Sequence, residues 1–380
     1  MKVLAAMSGG VDSAVAAALV HEAGHEVVGV HMAVSRSKAQ FRNGSRGCCS
    51  IEDASDARRA ASIIGIPYYV WDLSEEFEQT VVSDFLSEYE AGRTPNPCVR
   101  CNEHIKFEAL LDRATMLGFD AVATGHYARI LDTPTASGGS LRELHRSFND
   151  AKDQSYVLAV MGPKRLARAM FPLGDFATKD EVRAQAAERG LTVSNKPDSY
   201  DICFVADGDT KGFLKSRLGE RPGQVVDVSG EVVGEHEGAY AYTVGQRKGL
   251  SLGRPAVDGK PRYVLEVNPK KNVVVVGPGE LLSVNYLRGD QGVWFASELY
   301  SEDWIDGQVQ IRAHGQALPA RIRCKMVGDD LQLEVFLTDD PLRAVANGQS
   351  MVIYSGSRVL GQATVCASTR LKEFESVVSS

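Results

Sequence analysis

A short polar segment at residues 7–13 constrains this chain more than any other feature, because it separates an apolar run at residues 3–6 from an alanine-rich run at residues 14–23. The two runs predict a buried strand followed by a helix. A strand that turns through two glycines into a helix directs backbone N–H groups, the positive end of the helix dipole and hydroxyls toward one point. The segment therefore predicts a phosphate-binding loop. A tight turn capped by Ser8 or Asp12 is the simpler alternative.

Strand-like and helix-like segments alternate through the first half of the chain. A buried strand is predicted at residues 26–34, and further strands are predicted at residues 66–73 and 121–124. Helices are predicted between and after them, at residues 51–64, 74–90, 103–117 and 179–189. A hairpin is predicted over residues 128–148, across the Gly138-Gly139 turn. The alternation predicts an α/β fold with a doubly wound, mostly parallel sheet.

The second half of the chain has a different texture. After about residue 208, short alternating apolar segments are separated by Gly, Asn and Pro turns. This pattern predicts a small central β-rich domain and then a C-terminal all-β domain, most simply a β-barrel. We place the domain boundaries at residues 1–207, 208–280 and 281–380.

Composition places the chain among globular proteins. Of its 380 residues, 44% are hydrophobic and 24% are charged, and no apolar run reaches transmembrane length. The seven cysteines are an odd number, which fits a reducing compartment and a cytoplasmic protein with no membrane partner. The net charge of −7 argues mildly against a nucleic-acid partner, although the distribution of charge matters more.

Three cysteines lie in polar loops that contain proline. Cys98 and Cys101 form a C-x-x-C pair, and Cys203 lies far away in sequence. Such a pair alone is compatible with zinc, iron–sulfur or redox chemistry, and buried inert thiols are the remaining alternative. The basic neighbours of Cys101 favour a thiolate, because positive charge lowers the pKa of a thiol; they are Arg100, His104 and Lys106. We interpret the other cysteines as structural: Cys48, Cys49, Cys324 and Cys366.

Several motifs resemble those of a known family. The Ser-Gly-Gly-Val-Asp-Ser sequence at residues 8–13 resembles the signature of the PP-loop ATP-pyrophosphatases, which split ATP into AMP and pyrophosphate. With it, in the same order, come motifs at residues 96–107, 125–127, 152–156, 201–204, 245–250 and 348–349. Together they resemble the tRNA-specific 2-thiouridylase family along most of the chain. The resemblance implies a PP-loop domain, a central domain and a C-terminal β-barrel that together hold tRNA.

The resemblance also implies roles for individual residues. Catalysis is assigned to Cys101 and Cys203. ATP, with Mg²⁺, is assigned to Ala6, Met7, Ser8, Gly9, Gly10, Val11, Asp12, Ser13, Met32 and Gly125. Contact with tRNA is assigned to Asn96 and Pro97, which would line the base pocket, and to His126, Lys152, Asp153, Gln154 and Gln349.

The implied reaction activates the wobble uridine of tRNA by adenylating its C2 oxygen. Cys203 would carry a persulfide supplied by a cysteine desulfurase or a sulfur-carrier protein, and its terminal sulfur would attack C2 or leave as sulfide. Cys101 would then form a disulfide with Cys203, and a thiol reductant would restore both thiols. Cys98 departs from the family, where an aspartate can stand. Three thiolates, those of Cys98, Cys101 and Cys203, could alternatively hold a [4Fe–4S] cluster.

Two basic runs offer a place for RNA on an acidic protein. Residues 242–272 contain two acidic residues, Asp258 and Glu266, and seven basic ones: Arg247, Lys248, Arg254, Lys260, Arg262, Lys270 and Lys271. Residues 308–328 contain no acidic residue and four basic ones: Arg312, Arg321, Arg323 and Lys325. Each run alone would be interpreted as a solvated surface. Two such runs in consecutive β-rich domains favour contact with an RNA backbone.

Two other functions compete with sulfur transfer. A PP-loop synthetase that adenylates a small molecule would use the same loop but would not explain Cys101 and Cys203. A nucleotide-sensing RNA-binding protein without chemistry would likewise have no use for them. Loss of function on Cys203→Ser separates both alternatives from a tRNA-uridine 2-sulfurtransferase.

Overall fold

The first strand lies at the centre of a five-stranded parallel sheet. The computed structural model describes residues 1–34, 51–134, 138–197, 202–205, 208–250, 252–253 and 258–370. Several sequence-based interpretations fall outside the described residues: the polar stretch 35–47, Cys48, Cys49, Asp201 and Arg254. Within the described ranges, no helix is both long and apolar enough to cross a bilayer.

The N-terminal half alternates strands and helices, as the sequence predicts. Its strands are β1 (Lys2–Ala6), β2 (Glu26–Ala33), β3 (Tyr68–Asp72), β4 (Ala121–Ala123), β5 (Ala128–Pro134), β6 (Ser140–Arg146) and β7 (Ala169–Met170). Its helices are α1 (Val11–Glu22), α2 (Ile51–Ile64), α3 (Ser74–Phe77), α4 (Ser83–Glu90), α5 (Pro97–Arg100), α6 (Leu110–Met116), α7 (Ser155–Leu158), α8 (Gly162–Leu166), α9 (Lys179–Glu188) and α10 (Thr210–Leu218). Two π-helical segments, Glu78–Val82 and Cys101–Ala109, join α3 to α4 and α5 to α6.

The sheet is covered on both faces. Val3 and Ala5 of β1 pack in one core cluster with α1, α2 and α9, whereas Leu4 and Ala6 pack in another with α6. Successive residues of a strand point to opposite faces, so an unbroken apolar strand requires two apolar partners. The doubly wound fold predicted from the alternation is therefore confirmed.

Strand order determines where a ligand can enter this sheet. The order is β3-β2-β1-β4-β7, with every pair parallel, so the direction of chain progression reverses between β1 and β4. Ligands of open α/β sheets bind beyond the carboxyl ends of the strands at such a switch point. The segments after β1 and β4 are residues 7–13 and 125–127.

The remaining strands form a small mixed sheet and a closed barrel. The central strands are β8 (Gly223–Asp227), β9 (Val232–His236), β10 (Tyr263–Asn268) and β11 (Val273–Gly277), in the order β10-β11-β8-β9. The later strands are β12 (Ser283–Val284), β13 (Tyr286–Trp294), β14 (Ile305–Gln310), β15 (Leu318–Val327), β16 (Asp330–Leu337), β17 (Leu342–Arg343), β18 (Ser350–Ser355) and β19 (Arg358–Thr369). Strands β13-β16-β15-β14-β18-β19 follow one another, and pairing of β13 with β19 closes them into a barrel. The predicted C-terminal barrel is confirmed.

The hairpin of β5 and β6 belongs to the barrel sheet rather than to the parallel sheet. Strand β6 pairs with β19 at His145 and Arg358. The contact is charged, because Glu143 accepts a hydrogen bond from His145 (2.8 Å) and forms an ion pair with Arg358 (3.1 Å). The sequence predicts the hairpin but not this attachment, which joins the two halves of the chain.

A polar network beside the hairpin strengthens that attachment. Arg146 donates to Asp153 (3.0 Å) and to Gln310 of the barrel (2.6 Å), and its guanidinium lies 3.7 Å from the centre of the Tyr354 ring. Ser155 lies 3.1 Å from the Tyr354 hydroxyl. Only 6% of the Asp153 side chain is exposed, so the charge of Arg146 is balanced within the protein.

We predict that Asp153→Ala destabilises the protein by about 3 kcal/mol, because it leaves a half-buried guanidinium without its carboxylate. Urea unfolding measures the loss. Asp132→Ala is the matched control on the same hairpin, since Asp132 lies 3.7 Å from Arg142 and 58% of its side chain is exposed. The control should change the free energy of unfolding by less than about 1 kcal/mol. Equal effects of the two substitutions would contradict the structural role of Asp153.

Candidate active site

The loop between β1 and α1 is built for a close backbone approach. Gly9 has a φ of +84°, and a Cβ there would lie 2.2 Å from the Asp53 carbonyl oxygen. Gly10 precedes α1 in an extended conformation, and no described side chain caps this helix. The Ser8 amide donates to the Ser13 hydroxyl (3.1 Å), which closes the loop. Uncapped amides at the start of a helix are suited to a phosphate.

The segment after β4 completes the floor of this loop. A Cβ at Gly125 would lie 2.6 Å from the Ser13 nitrogen, so only glycine allows α1 to begin this close to β4. Ala6 ends β1, and Met7 donates its amide to Val30 of β2 (2.8 Å). The predicted nucleotide residues 6–13 and Gly125 are thus brought together. Their contact with ATP stays a prediction.

Two lysines that the sequence analysis did not select also reach the loop. Lys179 donates to Asp12 (2.6 Å), whose other oxygen accepts from the Tyr127 hydroxyl (2.8 Å). Lys196 donates to the Gly9 carbonyl (3.0 Å) and pairs with two carboxylates at the start of α2, those of Asp53 (2.7 Å) and Asp56 (2.7 Å). The lysines lie far from the loop in sequence, and no local pattern marks them.

Charge pairing outweighs burial at Lys196. Burial alone would lower the pKa of its ammonium, but the hydrogen bonds that it donates to the Asp53 and Asp56 carboxylates raise this pKa above the ordinary value. The group therefore stays cationic while it donates a hydrogen bond to the Gly9 carbonyl. Both ammonium groups lie next to the place predicted for the phosphates, and each is paired there with carboxylates: Lys179 with Asp12, and Lys196 with Asp53 and Asp56.

The C-x-x-C segment begins a helix with an unusual geometry. Asn96 caps α5 by accepting from the amides of Cys98 (3.1 Å) and Val99 (3.3 Å), and Pro97 occupies the first turn. Cys98 is exposed, whereas Cys101 is half-buried and starts the π-helical segment Cys101–Ala109. π-Helical turns are rare and are frequent at functional sites.

Cys101 and Cys203 are brought to one apolar cluster. Both pack against its buried members, which include Phe77, Phe85, Ile105 and Phe204. Met32, predicted to contact ATP, packs against the same cluster from the carboxyl end of β2. The two candidate catalytic cysteines therefore lie at the same edge of the sheet as the loop.

The described residues do not favour an iron–sulfur cluster. They include no group of three or more Cys, His, Asp or Glu side chains placed to hold a metal ion, although Cys98, Cys101 and Cys203 are all among them. Three thiolates must converge on one cluster to ligate it. We therefore assign no step to such a cluster.

The basic neighbours of Cys101 are bound to other groups. Arg100 donates to Glu103 (2.8 Å) and to Gln291 of the barrel (3.0 Å), and it lies 3.5 Å from Asp84. His104 bonds Glu108 (2.8 Å), and Lys106 bonds His126 (3.2 Å). Carboxylates offset much of the positive charge that the sequence places near Cys101. Proximity in sequence is therefore weak support for a lowered thiol pKa.

His126 lies in the protein interior. Its ring nitrogens bond Thr124 (2.7 Å) and Lys106 (3.2 Å), and it packs against Phe107 and Phe171. Burial, with a smaller contribution from the Lys106 ammonium, holds the pKa of His126 well below its ordinary value. The ring is consequently neutral at neutral pH. Its predicted contact with tRNA stays a prediction.

The segment Lys152 to Tyr156 connects the loop to the barrel. Gln154 accepts from the Tyr127 amide (2.9 Å), beside Asp12, while Tyr156 donates to the Ser350 carbonyl of the barrel (2.7 Å). Asp153 accepts from Arg146, Ser147 and Ser155. These protein contacts account for Asp153 and Gln154 structurally, and the tRNA contacts of Lys152, Asp153 and Gln154 stay predictions.

Gln349 lies close to the loop that carries Asn96. The Thr94 amide donates to the Asn347 carbonyl (2.8 Å), and Gly348 packs against Arg93. The side-chain oxygen of Gln349 is buried and has no hydrogen-bond partner in the described part of the chain. A buried acceptor without a donor is costly in a finished structure and suggests a missing partner.

Comparison with known proteins identifies the family. A model described as the tRNA methyl transferase HUP domain matches residues 1–207, and models described as a tRNA methyl transferase PRC-barrel domain and an aminomethyltransferase beta-barrel domain match residues 211–278 and 284–365. The tRNA-specific 2-thiouridylase MnmA of Beutenbergia cavernae is 67% identical over 370 residues, covering 97% of this chain and 96% of the relative. This chain belongs to the tRNA-specific 2-thiouridylase family.

Other relatives of the 2-thiouridylase family agree over the whole length. The proteins of the same name from Paenarthrobacter aurescens and Streptomyces coelicolor are 58% and 57% identical, over 98% and 97% of this chain and 99% and 96% of their own. The resemblance to this family is therefore confirmed along the whole chain. The roles of the individual residues are not tested by this similarity.

We predict that Gly9→Ala disrupts the loop for two reasons. The new methyl group would clash with the backbone of Asp53, and alanine would be forced into the left-handed conformation that Gly9 adopts. The expected loss is at least about 2 kcal/mol of unfolding free energy, with loss of ATP binding measured by calorimetry. Gly10→Ala is the matched control. Gly10 has a φ of −93°, and the nearest atom to its Cβ is the Ser8 hydroxyl at 3.6 Å. A Gly9→Ala variant as stable as Gly10→Ala would contradict the close approach.

We predict that His126 makes the protein less stable in mild acid. As the pH falls below about 6.5, the unfolded chain takes up a proton that folded His126 does not, so stability decreases. Between pH 7.5 and 5.5 the effect is roughly 1 kcal/mol. Urea unfolding of wild type, His126→Gln and the exposed-site control His21→Gln measures it. The loss of unfolding free energy between pH 7.5 and pH 5.5 should become smaller only in His126→Gln. An unchanged loss in that variant would show that another group is responsible.

Proposed function

We propose that this chain is a tRNA-uridine 2-sulfurtransferase that replaces the C2 oxygen of the wobble uridine with sulfur at the expense of ATP. The observation that carries the proposal is the placement of Cys101 and Cys203 against one cluster at the loop edge of the sheet. Full-length similarity to the 2-thiouridylases supports it. An adenylating enzyme that uses ammonia, or a non-catalytic RNA-binding protein, would leave both thiols without a purpose.

Residues 6–13, Gly125 and Met32 bind ATP, supplied with Mg²⁺, at the switch point of the sheet. Amides at the start of α1, together with Lys179 and Lys196, stabilise the negative charge that moves onto pyrophosphate. The C2 oxygen of uridine attacks the α-phosphorus, and the bond to the β-phosphate oxygen breaks. The products are an O-adenylated uridine and pyrophosphate.

Sulfur then replaces the adenylated oxygen. The terminal sulfur of a Cys203 persulfide forms a bond to C2, and AMP leaves with the electron pair of the broken C2–O bond. The Cys101 thiolate attacks the Cys203 sulfur, which breaks the S–S bond, frees the 2-thiouridine and leaves a Cys101–Cys203 disulfide. Release of sulfide before the attack on C2 is the alternative order. In either case a thiol reductant returns both cysteines to thiols.

The proposed partners follow from this chemistry. A cysteine desulfurase or a sulfur-carrier protein supplies the persulfide, because nothing in the ATP reaction generates sulfane sulfur. For tRNA, Asn96 and Pro97 form one side of the base pocket. The Gln349 side chain lies near the same loop, and its buried oxygen, which has no hydrogen-bond partner in the described part of the chain, would have to become exposed to accept a hydrogen bond from the RNA. Residues 1–207 form the catalytic domain, and 208–280 and 281–380 extend the contact with tRNA.

We predict that Cys203→Ser lowers the rate of 2-thiouridine formation by at least about 10³-fold, because the sulfur-carrying atom is removed. Purified protein, tRNA, ATP and a persulfide source are followed for AMP, pyrophosphate and thiolated nucleoside. ATP binding should be retained.

Cys366→Ser is the matched control, since Cys366 is half-buried in the barrel and bonds the Arg288 carbonyl (3.3 Å). It should keep wild-type activity. If Cys203→Ser thiolated tRNA at the wild-type rate, the proposed chemistry would be wrong. Formation of ADP in place of AMP would contradict it as well.

A further inference from the structure

A cavity of about 490 Å³ lies between the central sheet and the barrel. Lys260 and Tyr263 contribute to it from the central sheet, and Arg312 and Arg343 from the C-terminal part. We propose that this cavity binds a phosphate of the tRNA backbone. The inference rests on the proposed function, and it assigns a binding site remote from the ATP loop.

Charge in the cavity is suited to an anion that arrives from solvent. Three cationic side chains line it, with one carboxylate, that of Glu280, which lies 3.4 Å from the Lys260 ammonium. The Lys260 and Glu280 side chains are 62% and 63% exposed. The net positive charge is therefore accessible, and arginine can bind phosphate through two parallel hydrogen bonds.

The wall of the cavity is held in a strained conformation. Ala344 has a φ of +58°, which a residue with a Cβ rarely adopts. A Cβ added at Gly245 would lie only 2.3 Å from the Cβ of Ala344, so residue 245 must be glycine. Arg312 donates to the Ala344 carbonyl (2.9 Å), which fixes the guanidinium against this wall. Backbone strain of this kind costs about 1–3 kcal/mol and is concentrated at binding and catalytic sites.

Gly245 belongs to the 245–250 motif, for which the catalytic proposal provides no role. Its contact with Ala344 brings the central sheet against the end of β17, and this approach creates the cavity. The two basic runs of the sequence also meet here, because Lys260 comes from residues 242–272 and Arg312 from 308–328. By contrast, Arg321 and Arg323 pair with Asp306 and Glu334.

Phosphate ethylation tests the proposal, since an ethylated phosphate loses its charge. Filter binding of partially ethylated tRNA to the wild-type protein identifies the phosphates that contribute to affinity. The test variant is Lys260→Gln with Arg343→Gln, which leaves Arg312 to hold Ala344. The matched control is Arg59→Gln with Lys164→Gln, which removes two exposed charges from α2 and α8, outside the cavity and outside both basic runs.

We expect the cavity variant to bind tRNA roughly tenfold more weakly and the slope of log affinity against log salt to decrease by about 1. Ethylation of one particular phosphate should lower the affinity of the wild-type protein for tRNA. Ethylation of the same phosphate should not lower the affinity of the cavity variant any further. Glu280→Gln should act in the opposite direction, with affinity increased up to about fivefold, because a competing carboxylate is removed.

Three results would overturn the proposal while leaving the sulfur-transfer chemistry intact: an unchanged ethylation pattern in the cavity variant, an equal loss in the control variant, or weaker binding by Glu280→Gln. A midpoint temperature of thermal unfolding equal to that of the wild type verifies that each variant is folded. Failure of the wild-type protein to bind tRNA would overturn both proposals. Filter binding of the wild type, which is measured first, detects that outcome.

Discussion

The ion pair between Arg146 and Asp153 holds in place the guanidinium that joins the halves of this molecule, because Arg146 also contacts Gln310 and Tyr354 of the barrel. Taking two charges out of water costs several kcal/mol unless their lost hydration is replaced. Asp153 receives that replacement from Ser147 and Ser155, and Arg146 from Gln310 and the Tyr354 ring. A satisfied network of this kind tolerates few alternative geometries. Through Gln154 and Tyr127, its position also fixes the position of Asp12 in the loop relative to the barrel.

The local sequence predicts most of the helices and strands, because burial of one or both faces of an element produces a periodic pattern of apolar residues. The strand β1 is apolar throughout since both of its faces are covered, and the hairpin is marked by Gly138, which has a φ of +85°. Attachment of the hairpin to β19 produces no such pattern. It depends on Arg358, more than two hundred residues later, and on charges that also fit a solvated edge.

The site shows the same division between local and distant determinants. The loop is predictable because Gly9 and Gly10 are adjacent, whereas the lysines that hold it arrive from α9 and from residue 196. The electrostatics of Cys101 are the least predictable part. On a helix, neighbours in sequence point in different directions, and Arg100, His104 and Lys106 each reach a partner other than the thiol.

Attachment of the hairpin to the barrel has a consequence for synthesis on the ribosome. Strand β6 leaves the ribosome long before β19, and until then one of its edges has no partner strand. An open edge invites pairing with another nascent chain. Strand β6 carries Arg142, Glu143, His145 and Arg146, and hydrated charges oppose such pairing. Two of these side chains, Glu143 and Arg146, later bind Arg358 and Gln310 of the barrel, so charges that oppose aggregation of the unfinished protein also join the hairpin to its last strands.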